Sequence, residues 1–477
     1  MLVRSAVRRR GLSLRVSCLV LSLLACHGGQ GGNAESATLT GPEPGMCSNM
    51  APTVGGPCAP YGLVATGVYH TCALLVGGKI RCWGSNDRGQ LGLGNMDSIG
   101  DDETANTAPL VELGEAAIQL AAGESHTCAL TESGRIYCWG AGSVGILGYG
   151  HTMDIGDDEL PGSVGPVPLD GTALQIAAGW HHTCALMSDG SVRCWGLAES
   201  GRLGTGNTDN IGDDETPASQ PAIDLGGQAV HISASYETTC AVLEGGGVIC
   251  WGLGEQGQLG QGNTENIGDD ETPGSVGPID VGAAVTRVAA GSFHTCALTV
   301  AGEVRCWGSN GDGALGSGHG SLERIGDDEP PSVAGAVSLG RPAVAIAAGN
   351  TTTCAHLDDG ALRCWGGNDF GNLGYSEVGD IGYDDVPSDF GPVEVGGATL
   401  QVSVGGFHTC AYLADDSLRC WGLAVFGALG NGNTGVFLDE SSTCYCIGGQ
   451  CYFCDVDPVC CIGDAPGEMP PPPVSYQ

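Results

Sequence analysis

Seven cysteine pairs recur along this chain with one internal spacing: Cys72/Cys82, Cys128/Cys138, Cys184/Cys194, Cys240/Cys250, Cys296/Cys306, Cys354/Cys364 and Cys410/Cys420. Successive first partners lie 56 residues apart in every step but one, where the interval is 58. A Trp-Gly dipeptide follows every second cysteine, from Trp83-Gly84 to Trp421-Gly422. A fixed period of this length marks a repeat architecture, in which one supersecondary unit is copied and each copy buries its apolar surface against the next.

The second copy shows what the unit is. It runs Ile118-Gln119-Leu120-Ala121-Ala122-Gly123, then His126-Thr127-Cys128-Ala129-Leu130, then a Glu132-Ser133-Gly134 turn into Arg135-Ile136-Tyr137-Cys138-Trp139-Gly140. A glycine-rich loop, an acidic loop and Pro166-Val167-Pro168-Leu169 complete it. The apolar runs are short, bounded by Gly, Pro, Asp and Ser, and none carries a helical period, so they read as strands joined by turns. Four short strands per copy make a propeller blade, which predicts an all-β, seven-bladed β-propeller of about 56-residue repeats. Cys128 and Cys138 lie symmetrically about Ser133, so a hairpin turning there sets them opposite each other, within reach of a disulfide. Buried free thiols are the competing reading, since cysteine packs as a small hydrophobe.

The start of the chain bears on that choice. Arg4, Arg8, Arg9, Arg10 and Arg15 precede an apolar run from Val16 to Ala25, which has the make-up and length of a signal-peptide core. Its ending, Leu23-Leu24-Ala25-Cys26, resembles the bacterial lipobox, which implies lipidation at Cys26, and a Gly-rich tether follows. The expected division is a signal peptide (1–25), a lipid-anchored flexible linker (26–60), the propeller (61–440) and a Cys-rich and Pro-rich tail (441–477). The expected location is the bacterial cell envelope, as an outer-membrane or surface lipoprotein, with simple secretion as the alternative. Beyond the seven pairs, Cys47 and Cys58 stand before the repeats and six cysteines stand in the tail, even numbers that suit disulfides in an oxidising compartment. In the tail, zinc at Cys451-x-x-Cys454 is the weaker reading. The formal charge of −37, with Lys79 the one lysine, excludes nucleic acid as a partner and favours cations or basic proteins. The membrane is reached only through the lipid.

The strings Gly-x-x-His-Thr-Cys-Ala-Leu, Cys-Trp-Gly and Gly-x-Asn-x-x-Gly-Gln-Leu-Gly resemble the regulator of chromosome condensation repeat. The last stands at Gly84 to Gly92 and recurs in altered form at Gly366 to Gly374. The resemblance runs from Gly62 to Gly430 and implies a seven-bladed propeller. It also implies, for the family's eukaryotic members, guanine-nucleotide exchange on a small GTPase and chromatin binding. An exported, acidic chain with no matching loop for a nucleotide-binding partner fits neither. A secreted lipoprotein branch with paired cysteines fits better.

Two sets of residues are candidates for chemistry. His70, His126, His182, His294 and His408 stand two residues before the first cysteines, with Thr238 and Thr352 in the remaining copies. A metal site would not keep its ligand when His becomes Thr, whereas a hydrogen-bonding role at a turn tolerates both. The acidic loops are the second set: Asp101-Asp102-Glu103, Asp157-Asp158-Glu159, Asp213-Asp214-Glu215, Asp269-Asp270-Glu271, Asp327-Asp328-Glu329 and, altered, Asp384-Asp385. These seventeen carboxylates should share one rim. Oxygen-rich loops suit Ca²⁺, but Asp also caps turns locally, and no other cofactor is expected. The repeated tryptophans read as packing between blades. The chain holds no zinc-protease motif, phosphate loop or nucleophile elbow. The function expected is a non-enzymatic propeller engaging a protein or glycan, a basic one in particular, through a loop face. A calcium-dependent structural or adhesive protein, an exchange factor and an enzyme on a propeller scaffold are the alternatives.

Overall fold

The computed structural model describes residues 63–318, 324–375 and 379–432, together with the backbone of three short strands at 444–447, 450–453 and 461–462. The expected signal peptide, Cys26 and the linker lie outside the described residues, as do the side chains of the tail.

Each copy folds as an antiparallel sheet of three consecutive strands, and seven such sheets form the blades of a propeller. In the second blade the strands are Ala117–Ala122, His126–Thr131 and Ile136–Gly140. The first strands line a central channel holding about 250 Å³ of free space. The ring closes between blade 7, with first strand Thr399–Val404, and blade 1, with first strand Val64–Thr66. The Gln401 side chain accepts from Leu63 N–H at 2.7 Å and donates to the Val64 carbonyl at 3.0 Å. Gln119 makes the corresponding pair of bonds to Ile176 between blades 2 and 3, at 3.0 and 2.9 Å.

The second strand of the blade does not alternate between inside and outside. His126–Thr131 is buried at all six positions, because both faces of the sheet meet a neighbouring blade. The core therefore lies in the seams between sheets, and such a strand is buried throughout.

The fourth strand expected from the sequence is reduced to point contacts. After Gly140 the chain touches the sheet edge at Ile155, then again where Val167 N–H donates to the Ile136 carbonyl at 2.7 Å. Between these contacts it bulges outward as the acidic loop. Among the described residues, only blade 1 forms a two-residue strand there, Leu110–Val111. In blade 7 the backbone of Cys461–Ile462 pairs with Gly422–Leu423 along the edge of the sheet.

The cysteines of every repeat pair are cross-strand neighbours, on the second and third strands of one blade, as in Cys128 opposite Cys138. Each pair is a disulfide rather than two buried thiols. From blade 1 to blade 7 the links are Cys72–Cys82, Cys128–Cys138, Cys184–Cys194, Cys240–Cys250, Cys296–Cys306, Cys354–Cys364 and Cys410–Cys420. None of these seven joins one blade to another. Their Cα atoms stand 4.0–4.1 Å apart. All fourteen half-cystines are buried, so Cys82, Cys250, Cys306, Cys364 and Cys420 serve the core as apolar packing as well as cross-links.

Candidate binding face

The repeated histidines belong to the seams rather than to turns. His70 Nε2 meets Thr127 Oγ1 of the next blade at 2.8 Å, and His126, His182, His294 and His408 repeat the contact with Thr183, Thr239, Thr353 and Thr71 at 2.7–3.0 Å. Thr127 spends its one hydroxyl proton on the Gln90 carbonyl at 3.0 Å. His70 must then donate through Nε2–H, which fixes a neutral tautomer. The Trp139 indole donates to the same Gln90 carbonyl at 2.9 Å. His, Thr and Trp thus form a clasp at the seam, closing on the glycine-rich loop of the preceding blade. Six of the seven repeated indoles make this bond, and Trp195 sits equally buried without it. Burial pushes His70 and His294 down to about 4, and His126 and His408 to about 3.

The two threonine copies have a steric context. A Cβ on Gly123 would stand 2.2 Å from His126 Cε1, so the glycine three residues before the histidine leaves room for its ring. Blade 4 carries Ser235 at that position and Thr238 in place of the histidine. Blade 6 keeps Gly349 but has Thr352, which donates to the Gly367 carbonyl at 3.1 Å instead.

The acidic loops emerge at the end of the ring where each third strand finishes. Their Ile-Gly start is structural. Ile155 is buried, and a Cβ on Gly156, whose φ is +95°, would approach the Gly89 carbonyl of the preceding blade to 2.5 Å. The loops therefore pack across the seams, a role the sequence assigned to the strands and the Trp-Gly corner alone. The carboxylates that follow face outward. In five loops, the Asp-Asp-Glu trios at 101–103, 157–159, 213–215, 269–271 and 327–329, one oxygen from each residue lies within 4.8 Å of the others. Burial, a hydrogen bond that the protonated Glu donates to the adjacent Asp, and repulsion between the carboxylates hold Glu159, Glu215, Glu271 and Glu329 up at about 7. In three loops the first Asp accepts from the next backbone N–H, as Asp214 N–H to Asp213 at 3.1 Å. In the altered sixth loop, Asp385 accepts from Gly382 N–H at 2.8 Å, while Asp384 belongs to no trio.

The same end carries a feature that the repeat pattern conceals. The two residues between Gly and His at the turn from first to second strand differ in every blade, and five of the seven turns hold an aromatic: Tyr69, Trp180, Tyr236, Phe293 and Phe407. They sit around the channel mouth in two arcs. Trp180 meets Tyr236 edge-on with ring centroids 4.4 Å apart, and Tyr236 meets Phe293 at 5.5 Å. Tyr69 stacks on Phe407 at 5.8 Å, and Phe370 and Phe426, from the glycine-rich loops, abut them at 5.5 and 5.6 Å. All seven are at least partly exposed. Trp180 is the one tryptophan outside the Cys-Trp-Gly pattern, and the other seven are fully buried. The signal in the sequence was the breakdown of the repeat at the two x positions of Gly-x-x-His.

Comparison with known proteins places these features. The family model described as the RCC1-like domain matches residues 154–444, and the models of the regulator of chromosome condensation (RCC1) repeat match 63–90, 117–146 and 78–130. The Ultraviolet-B receptor UVR8 of Arabidopsis thaliana is 32% identical over 381 residues, 78% of this chain and 79% of that protein. The mitochondrial RCC1 domain-containing protein RUG3 of the same plant is 29% identical over 361 residues, 72% of this chain and 74% of RUG3. Among solved structures, Prp20p of Saccharomyces cerevisiae superposes with a TM-score of 0.59 at 23% identity, covering 76% of this chain and 84% of Prp20p. That likeness concerns the fold.

Proposed function

We propose a function from one premise: this chain belongs to the regulator of chromosome condensation (RCC1) repeat family. On that premise it is a non-enzymatic binding propeller that works outside the cytoplasm, tethered to the cell envelope through Cys26. It engages a protein partner through the end bearing the first turns and the loops. The observation that carries this reading is the division of the molecule. Every blade has a disulfide-linked interior closed by the same Thr bond to the preceding loop, while aromatic side chains that break the repeat gather at one mouth. Seven buried disulfides suit an oxidising compartment. Exposed residues that break a repeat on a rigid scaffold are where recognition is expected. UVR8 is named as a receptor, and Prp20p is described with its binding to Gsp1p and histones. Of this chain we propose a protein partner of its own compartment, and neither a GTPase nor chromatin.

The test is capture from an envelope extract by the full chain, compared with two surface variants. Phe426→Arg alters the mouth end, and Val76→Arg alters a hairpin turn at the opposite end, where Val76 is 88% exposed. Loss of one specific partner with Phe426→Arg alone supports the reading. Equal capture by both variants removes the face assignment. Tethering is checked separately: Cys26→Ser should release the chain from membranes.

A second reading is favoured by the carboxylate trios. Their oxygens are close enough to share one hard cation, and Ca²⁺ takes six to eight oxygens, the rest being supplied by water and backbone. In this reading the loops would tie neighbouring blades together in a calcium-dependent structural or adhesive protein. A rise in Tm with millimolar Ca²⁺, beyond that given by NaCl of equal ionic strength, would favour it.

A further inference from the structure

We infer that the aromatic mouth is a docking site for a cationic protein segment, whose Arg or Lys side chains seat on the rings of Trp180 and Phe407 beside the carboxylates of the same mouth. This deepens the binding-propeller reading and rests on it.

Three observations lead there. The first is placement. The aromatics occupy turn and loop positions that the fold does not require to be aromatic, since the same positions hold Ser125 and Thr351 in other blades. Residues from opposite ends of the chain, Tyr69 and Phe407, become neighbours only when the ring closes.

The second is backbone conformation. Phe426 sits at φ +56° and is 46% exposed. The left-handed turn belongs to the loop, since Val144 and Ser200 adopt φ +56° and +62° at the equivalent positions of blades 2 and 3, but blade 7 places a large ring there, where the conformation costs free energy. Phe426 recovers little of that by burial. Its ring is instead held edge-on to Tyr69, extending the arc outward.

The third is charge. Glu124 lies in the first turn of blade 2, Glu237 follows Tyr236 in that of blade 4 and is paired with Arg202, and Asp369 precedes Phe370. Asp312, in the corresponding loop of blade 5, has its carboxyl raised by burial and by the neighbouring Asp380 and Asp369, so these acids crowd one another. Arginines at this end are already held. Arg88 pairs with Asp154 at 3.1 Å, Arg202 with Glu237 at 3.0 Å, and Arg324 donates to the Glu255 carbonyl at 3.1 Å. His181 stands 3.3 Å from Glu124. These arginines are committed to partners of their own, and Trp180 and Phe407 are partly exposed at the mouth. Aromatic faces bordered by carboxylates attract cations through the ring quadrupole and through Coulomb forces together. Guanidinium groups stack flat on such rings as ammonium groups do not, so Arg should outrank Lys. The outer acidic loops then act at longer range, drawing the partner in.

Trp180 supplies its own reporter, because the other tryptophans are fully buried. The full chain would be titrated with an oligo-arginine peptide, an oligo-lysine peptide of equal length and an uncharged Gly/Ser peptide, followed by indole fluorescence and by calorimetry. The inference expects oligo-arginine to change the Trp180 emission and to bind more tightly than oligo-lysine. It expects Phe407→Ala or Trp180→Ala to weaken binding about tenfold with Tm unchanged. Binding that ignores both aromatic variants and weakens only with Asp213→Asn and Asp214→Asn would overturn the mouth inference and leave the binding-propeller reading standing. Absence of binding by either cationic peptide would overturn it too, as would a neutral saccharide that displaces them and is itself lost with Trp180→Ala. Failure of the broader reading shows elsewhere, as no partner captured from the envelope extract.

Discussion

The seam between blades and the mouth of the channel are built from residues a few positions apart, yet they obey different rules. At the seam, a Thr hydroxyl bonds the preceding loop in all seven blades, the Trp indole joins it in six and a His in five. At the mouth, two residues away, Val-Tyr, Glu-Ser, Trp-His, Tyr-Glu, Ser-Phe, Asn-Thr and Gly-Phe follow one another without a rule. The seam is repeated because each sheet must bury both faces against a partner of the same shape. The mouth is free to vary because the ring is already closed beneath it. A repeat fold thus separates what holds it together from what it presents.

The sharpest way to break this comparison uses two tryptophans. Trp139→Ala removes a fully buried ring and its bond to the Gln90 carbonyl, and should cost about 3–5 kcal/mol in denaturant unfolding. Trp180→Ala should change stability by less than about 0.5 kcal/mol. Similar losses at both would deny the division. Next in size is the disulfide. Cys184→Ala with Cys194→Ala opens a link spanning 10 residues and should cost at most about 3 kcal/mol, with no effect on ligands of the mouth.

A double variant sharpens the account of the clasp. Gly123→Ser places a Cβ against the His126 ring and should cost about 1–3 kcal/mol. Adding His126→Thr, which reproduces the Ser235/Thr238 pair of blade 4, should restore part of that loss. If the double variant is no more stable than Gly123→Ser alone, the two positions are not coupled through the ring.

The smallest effects are those of pH, and the two regions have opposite signs. The seam histidines are held neutral, at about 3 to 4. Their contribution is full above the ordinary value of 6.5 and is lost as pH falls through the folded values, so the midpoint of unfolding should drop with acidification. The rim glutamates are held up at about 7. Their contribution is full below about 4.5 and is lost as pH rises through 7. Glu→Gln at 159, 215, 271 and 329 should flatten the neutral-pH decline and leave the acid limb unchanged.

Much of the seam was legible in the sequence, because period and symmetry act on it directly. Cys128 and Cys138 had to face each other once Ser133 was the turn, and seven copies of one indole had to be structural. The direction of the histidine bond was not legible, since it depends on the next blade standing within about 3 Å of the ring. The fourth strand was overestimated because Ile155 and Val167 have strand character, although they touch the sheet only at its two ends. The mouth was hidden for a different reason. Aligning copies draws attention to what they share, and the aromatic arcs consist of what they do not share.

The pattern of cross-links bears on how such a chain is made. Each disulfide joins a cysteine to the next cysteine along the chain, across one hairpin. As a growing polypeptide emerges, the correct partner is always the thiol that arrived just before. An oxidase with no knowledge of the finished ring could form these seven links in order, blade after blade. Proofreading by an isomerase, which chains with crossing disulfides require, would have little left to correct in the propeller.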